Sequence, residues 1–111
     1  MQARLTYVMK FVADMDKAVA FHRDTLGLPL KFQSPGWSEF ATGEVTLALH
    51  PANEKKPAGS VELGYQIADL ERMHAQGEAG GIAFVGPLRR EHGVLLAQFL
   101  DSEGAPCTAS E

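Results

Sequence analysis

The sequence predicts an α+β fold: paired βαβββ modules forming a curved, eight-stranded incomplete barrel around a cavity. Three observations lead there. A strand-like apolar segment running into one short amphipathic helix occurs twice, as FVADMDKAVAFHRDTLGLPLKF at 11–32 and as QIADLERMHAQG at 66–77. The two junctions, Val12-Ala13-Asp14-Met15 and Ile67-Ala68-Asp69-Leu70, stand a constant 55 residues apart. Each helix is followed by three short strand candidates. A four-stranded sheet with one helix leaves its other face bare, and two such sheets can turn their bare faces onto a shared cavity.

The elements follow in order. LTYVMKFV at 5–12 is rich in β-branched and aromatic residues and reads as a strand. Asp14 is placed to cap a helix, with Asp16 in its first turn complementing the dipole. Met15, Ala18, Val19, His22 and Leu26 recur at helical spacing, Gly27 ends the run, and Pro29 blocks its continuation. Strands are expected at 30–33, 37–42 and 45–50, separated by turns at Pro35-Gly36 and Thr42-Gly43. The polar, proline-bearing stretch 52–60 divides a module of about 1–51 from one of about 61–111 within a single domain. VELGYQI at 61–67 alternates as a strand does, with Val61, Leu63, Tyr65 and Ile67 on one side and Glu62, Gly64 and Gln66 on the other. Asp69 is expected to cap the second helix and Gly77 to end it. GIAFVGPL and GVLLAQFL read as strands joined at Glu91-His92-Gly93. Pro106 is expected to confine a weak last strand, APCTAS, to a sheet edge or a bulge.

Composition narrows the function. With 111 residues the chain supports one core, and its net charge of −4 is a poor match for a phosphate backbone. Its basic clusters, Lys55-Lys56 and Arg89-Arg90, sit beside proline and read as solvated charges. No apolar run approaches the roughly 20 residues that cross a bilayer, and no secretory leader is visible, so neither nucleic acid nor membrane is expected as a partner and a cytoplasmic location fits. The single cysteine, Cys107, has no partner for an internal disulfide and reads as a packed thiol.

FVADMDKAVAFHRDTLGLPLKF, PGWSEFATGEVTLALH, VELGYQIADL and QFLDSEG together resemble the vicinal oxygen chelate superfamily, which includes glyoxalase I, bleomycin-resistance proteins, fosfomycin-resistance thiol transferases and extradiol dioxygenases. The resemblance covers nearly the whole chain, and its motifs report strand–helix junctions and turns, which mark fold better than reaction. It implies a homodimer, often with sites built from both subunits, and in catalytic members one divalent ion held by His, Glu or Gln on four strands. Such mixed ligands suit Zn²⁺, Ni²⁺, Mn²⁺ or Fe²⁺, which stabilise an enolate or oxyanion. The positions corresponding to those ligands are Tyr7, Ala48, Glu62 and Thr108. Of these, Glu62 alone is an ordinary metal-binding side chain. A divalent metal is therefore possible but not expected, with His50 and Glu62 as weak candidates.

His50 is two residues from Ala48 and shares its face, whereas Leu47 and Leu49 face the helix. The candidate site thus comprises Tyr7, Met9, Trp37, Glu39, His50 and Glu62, and Glu62, His50 and Tyr7 are the candidate catalytic groups. Glu62 or His50 would act as base or ligand, and Tyr7 as acid or orienting donor. The competing reading puts His50 at a strand end, hydrogen-bonded to loop backbone. His22 reads as packing, His74 as solvated and His92 as a turn residue. Phe21, Leu26, Phe40 and Phe84 are assigned to the core. Two function classes follow: a small-molecule binding protein of the glyoxalase/bleomycin-resistance type without the usual four ligands, or a lyase or dioxygenase-like enzyme with a variant metal or metal-free acid–base site. A third is an interaction domain whose cavity is filled by its own side chains.

Overall fold

The computed structural model describes residues 2–111. Its elements run β1 (Ala3–Val12), α1 (Met15–Ala20), β2 (Leu30–Phe32), β3 (Ser38–Ala41), β4 (Thr46–Pro51), β5 (Val61–Ile67), α2 (Leu70–Gln76), β6 (Ala83–Glu91), β7 (Val94–Leu100) and β8 (Pro106–Ser110). This is βαβββ twice. The offset of 55 holds in the structure: β1 ends at Val12 and β5 at Ile67, and α1 begins at Met15 and α2 at Leu70. The chain forms two compact units, one of Thr6–Glu62 and one of Leu63–Glu111 with the chain start up to Leu5.

In the Thr6–Glu62 unit the strand order is β2-β3-β4-β1. β1 and β4 are parallel, with Tyr7 opposite Thr46, Met9 opposite Ala48 and Phe11 opposite His50. β3 lies antiparallel to β4, placing Glu39 opposite Ala48 and Phe40 opposite Leu47. Because side chains alternate across a strand, this register sorts the sheet into two faces. On one, Val19 of α1 packs with Phe40 and Leu49, all three at most 1% exposed, and with Met15, Leu28, Leu30 and Leu47 around them. Burial of each large side chain is worth roughly 1.5–3 kcal/mol, so this cluster anchors the short helix, which would be marginal alone. The other face carries no helix.

Asp14 caps α1 as its position implies: its carboxylate accepts from Lys17 N at 3.0 Å. The helix then widens into a π-helical segment, Phe21–Thr25, closed by the bond from Leu26 N to Phe21 O. A wider turn takes more residues per revolution, so the regular apolar stripe slips. Leu26, which the regular spacing places on that stripe, is instead 53% exposed, and Phe21, also assigned to the core but lying off the stripe, is 51% exposed. Gly27 adopts φ +71°, the left-handed stop expected of it.

In the second unit the order is β5-β8-β7-β6. Ile67, Leu70, Met73, Ile82, Ala97 and Ala109 form its core, with Tyr65, Phe84 and Phe99 packed around them. Asp69 does not cap α2. Its backbone is left-handed, at φ 57° and ψ 46°, and its carboxylate pairs with Arg72 at 2.6 Å. The cap comes from Glu111, 41 residues further along the chain, whose carboxylate accepts from Leu70 N at 2.7 Å and from Asp69 N at 2.6 Å. β8 is no edge strand: it pairs with β5 through Thr108–Ser110 and with β7 through Pro106–Ser110. Pro106 is tolerated because it is the first residue of the strand, outside the segment that pairs with β5. His74, read as solvated, is half-buried, with its Nε2 at 2.9 Å from the Gly86 carbonyl. The QFLDSEG turn closes on Asp101, whose carboxylate accepts from Glu103 N and Ala105 N. No helix of the described residues is long and apolar enough to cross a membrane.

Candidate functional site: an aromatic face with an internal ion pair

All six residues singled out from the sequence lie in the Thr6–Glu62 unit. Tyr7, Met9 and Phe11 alternate along β1 onto the helix-free face, and their register partners Thr46, Ala48 and His50 share it. Met9, Phe11 and Ala48 are buried together, with Tyr7 and Trp37 packed against them. Ala48 sits at the centre, between Met9 on β1 and Glu39 on β3, and its small side chain leaves the flanking groups to define the face.

The rings form a chain. Tyr7 lies 6.1 Å from Trp37, Trp37 stands edge-on 6.1 Å from His50, and His50 lies 5.1 Å from Phe11. These separations fall in the range at which aromatic pairs attract beyond simple burial. At one end Glu39 accepts from Trp37 Nε1 at 2.7 Å, and Lys31 Nζ reaches its other oxygen at 3.7 Å. Lys31 is 61% exposed, so it screens that carboxylate only weakly. The Tyr7 phenol is held above its ordinary pKa of 10.0, first by burial and then by the negative charge of Glu39.

His50 Nδ1 lies 2.8 Å from the Pro51 carbonyl oxygen. A carbonyl can only accept, so Nδ1 carries a proton, and in the neutral form of the ring Nε2 is the acceptor. The strand-end backbone bond and the shared face with Ala48 therefore occur together.

Glu62 is 5% exposed, and its Oε1 lies 2.8 Å from Lys56 Nζ. The same ammonium stands 5.7 Å from the centre of the Phe11 ring, within cation–π range. Phe11 thus lies between the His50–Trp37–Tyr7 rings and the Lys56–Glu62 pair. Sequence reading did not single out Phe11, and it took Lys56 for a solvated charge, whereas its side chain is only 19% exposed because it reaches inward to Glu62. The two-residue period through Tyr7 and Met9 reaches Phe11, whereas nothing in the local pattern marks Lys56 as other than a loop charge.

The four positions that the resemblance implies for a metal do not fit one. The Tyr7 phenol is pushed further from the phenolate that would ligate, Ala48 offers no donor atom, Glu62 is engaged by an ammonium, and Thr108 is a hydroxyl. Among the described residues, no three His, Cys, Asp or Glu side chains gather in a metal-binding group. A surface concavity in the other unit, lined by Gln2, Asp69, Arg72, Met73 and Gln76, contains none of the six residues, and Asp69 and Arg72 within it are paired to each other.

The sequence pattern of the Glyoxalase/Bleomycin resistance protein/Dioxygenase superfamily matches residues 4–106. The chain belongs to that superfamily. No functionally curated protein matches it. Among solved structures, a hypothetical protein of Bacillus halodurans superposes with a TM-score of 0.77 at 15% identity, covering 100% of this chain and 95% of that one. The methylmalonyl-CoA epimerase of Mycobacterium tuberculosis gives 0.75 at 22% identity, covering 97% and 87%. A structure described as the NAD-dependent benzaldehyde dehydrogenase of Legionella pneumophila gives 0.73 at 19% identity, covering 94% and 96%. At these identities the likeness is one of superfamily fold. The differing activities named for these proteins show how little the fold says about the reaction.

Proposed function

We propose that this glyoxalase-superfamily chain is a small-molecule binding protein. It takes a flat aromatic ligand on the helix-free face of the Thr6–Glu62 unit and holds it without a metal ion. The observation that carries the reading is the ring chain Tyr7–Trp37–His50–Phe11, with the Glu39 carboxylate at its Trp37 end. The half-buried rings of Tyr7, Trp37 and His50, backed by the buried Phe11, supply stacking area at low entropic cost, and a carboxylate beside them favours a cationic or hydrogen-bond-donating group on the ligand. Met9 lies against the same cluster. The buried acid of the unit, Glu62, is already neutralised by Lys56, which leaves Glu39 to set the sign of the preferred ligand.

Trp37 is the only tryptophan, so its fluorescence reports the face directly. The test titrates the EDTA-treated protein with a planar aromatic cation such as ethidium and, separately, with an anionic aromatic such as anilinonaphthalene sulfonate. The cation should alter Trp37 emission saturably and raise the melting temperature, because a ligand of the folded state stabilises it. The anion should bind at least tenfold more weakly. Equal binding of both, or no response to either across aromatic libraries, removes the support for the reading.

One observation favours an acid–base enzyme as the second reading: the Nδ1–Pro51 bond that leaves Nε2 of the neutral His50 ring as an acceptor, on the same face as the proton-bearing Tyr7 phenol. In that case a bound ligand would be turned over, and His50→Gln, which also removes one ring of the chain, would lower turnover far more than it weakens the cation's affinity.

A further inference from the structure

We infer that the ammonium of Lys56 is the resident cation of the helix-free face. It occupies the Glu62 carboxylate in place of a divalent ion, and the 52–60 linker is built to hold it there. The sequence marks this stretch only as polar and proline-bearing, but the structure makes it a rigid mount. Asn53 Oδ1 accepts from both Lys55 N at 3.0 Å and Lys56 N at 2.9 Å, and Asn53 N donates back to the Lys56 carbonyl at 2.9 Å. On the far side, Ser60 N and Oγ both donate to the Pro57 carbonyl, at 3.0 and 2.7 Å.

The turn is then riveted to β1. Gly59 N donates to Phe11 O at 2.8 Å, Phe11 N to Ser60 O at 3.0 Å, and Ala52 N to Val12 O at 2.8 Å. Lys56 is thereby held in the stretch docked on the residue whose ring its Nζ covers. The pair it makes is mostly removed from water: the side chains are 19% and 5% exposed for Lys56 and Glu62. Desolvating two charges is expensive, and a mobile surface lysine would not stay there, so the backbone bonds are what make the pair stable. One positive charge at 2.8 Å satisfies the need of a buried carboxylate for a cation, and a divalent ion would have to displace it.

The test needs no ligand: its melting temperatures bear on the ion pair alone, whereas bound metal would also count against the metal-free binding reading. Wild-type protein is stripped with EDTA, then dialysed against Zn²⁺ or Mn²⁺. Bound metal and melting temperature are measured for wild type, Lys56→Met, Lys56→Arg, Glu62→Gln and the double variant Lys56→Met/Glu62→Gln. Wild type should retain well under 0.1 equivalent of either metal and melt at the same temperature with and without it. Lys56→Met should melt roughly 10 °C lower, Lys56→Arg should keep most of the wild-type value, and the double variant should regain at least half of the loss, since a broken buried pair costs more than an absent one.

If Lys56→Met does not fold, recovery of a folded double variant supports the inference, and an equally unfolded double variant overturns it. Stoichiometric wild-type metal that is lost in Glu62→Gln overturns it. So does a Lys56→Met protein as stable as wild type.

Discussion

Replacing Glu39 by Gln removes one charge from the aromatic face and changes little else. The side chain is isosteric, so its oxygen still accepts from Trp37 Nε1, now as a neutral bond in place of a charge-assisted one of 2.7 Å. Hydrogen bonds to charged groups contribute about 1.5–3 kcal/mol against about 1 for neutral ones, so the expected loss is roughly 1 kcal/mol, or about 4 °C in a chain of this size. The more specific readout is Tyr7. Its pKa is raised chiefly by burial and secondarily by Glu39. In the variant it should therefore fall, but stay above the ordinary value.

The linkage sign follows. A phenol whose folded pKa lies above its unfolded one contributes stability that is complete below about pH 10 and is lost as pH rises through the folded pKa. Glu39→Gln narrows that window. Absorbance titration at alkaline pH, in a Tyr65→Phe background so that Tyr7 is the only tyrosine, measures the shift directly. An unchanged Tyr7 titration would refute the placement of Glu39 against the phenol. An unchanged affinity for an aromatic cation would refute its role in setting ligand charge.

Two further predictions concern the scaffold. Glu111→Ala removes the carboxylate that accepts from Leu70 N and Asp69 N, and should cost about 0.5–2 kcal/mol, read as a melting temperature lower by several degrees; Asp69→Ala, which removes no cap, should cost less. Asn53→Ala removes the acceptor for Lys55 N and Lys56 N, so trypsin should cut after Lys55, the bond after Lys56 being protected by Pro57, several-fold faster than in wild type; an unchanged rate would mean that the Asn53 turn does not hold the linker.

The fold was largely legible because strand and helix periods and their turn residues are local signals. The 55-residue offset survived to the residue, and the strand faces followed from alternation, with Leu47 and Leu49 against the helix and Ala48 on the bare side. What was missed depends on long-range geometry. A capping aspartate in sequence, Asp69, gave way to Glu111 because a residue distant in the chain arrived with better geometry. Leu26 left the core because one widened turn broke a period that the sequence alone shows as continuous, whereas Phe21 lay off that period from the start.

In the site, Tyr7, Trp37, Glu39 and His50 could be gathered by strand register. The partner of Glu62 could not, because Lys56 reaches it through a turn whose shape is set by backbone bonds to Phe11 and Val12 and not by any periodic pattern.

The central claim is that the aromatic face of the Thr6–Glu62 unit receives the ligand without metal. The most direct measurement follows the single Trp37 indole N–H resonance by solution NMR during titration of the EDTA-treated protein with an aromatic cation. The account predicts a saturable shift of that resonance together with the backbone amides of Tyr7, Glu39 and His50. A ligand that binds while this resonance stays fixed, or one that shifts it only after a divalent metal is added, would contradict the account.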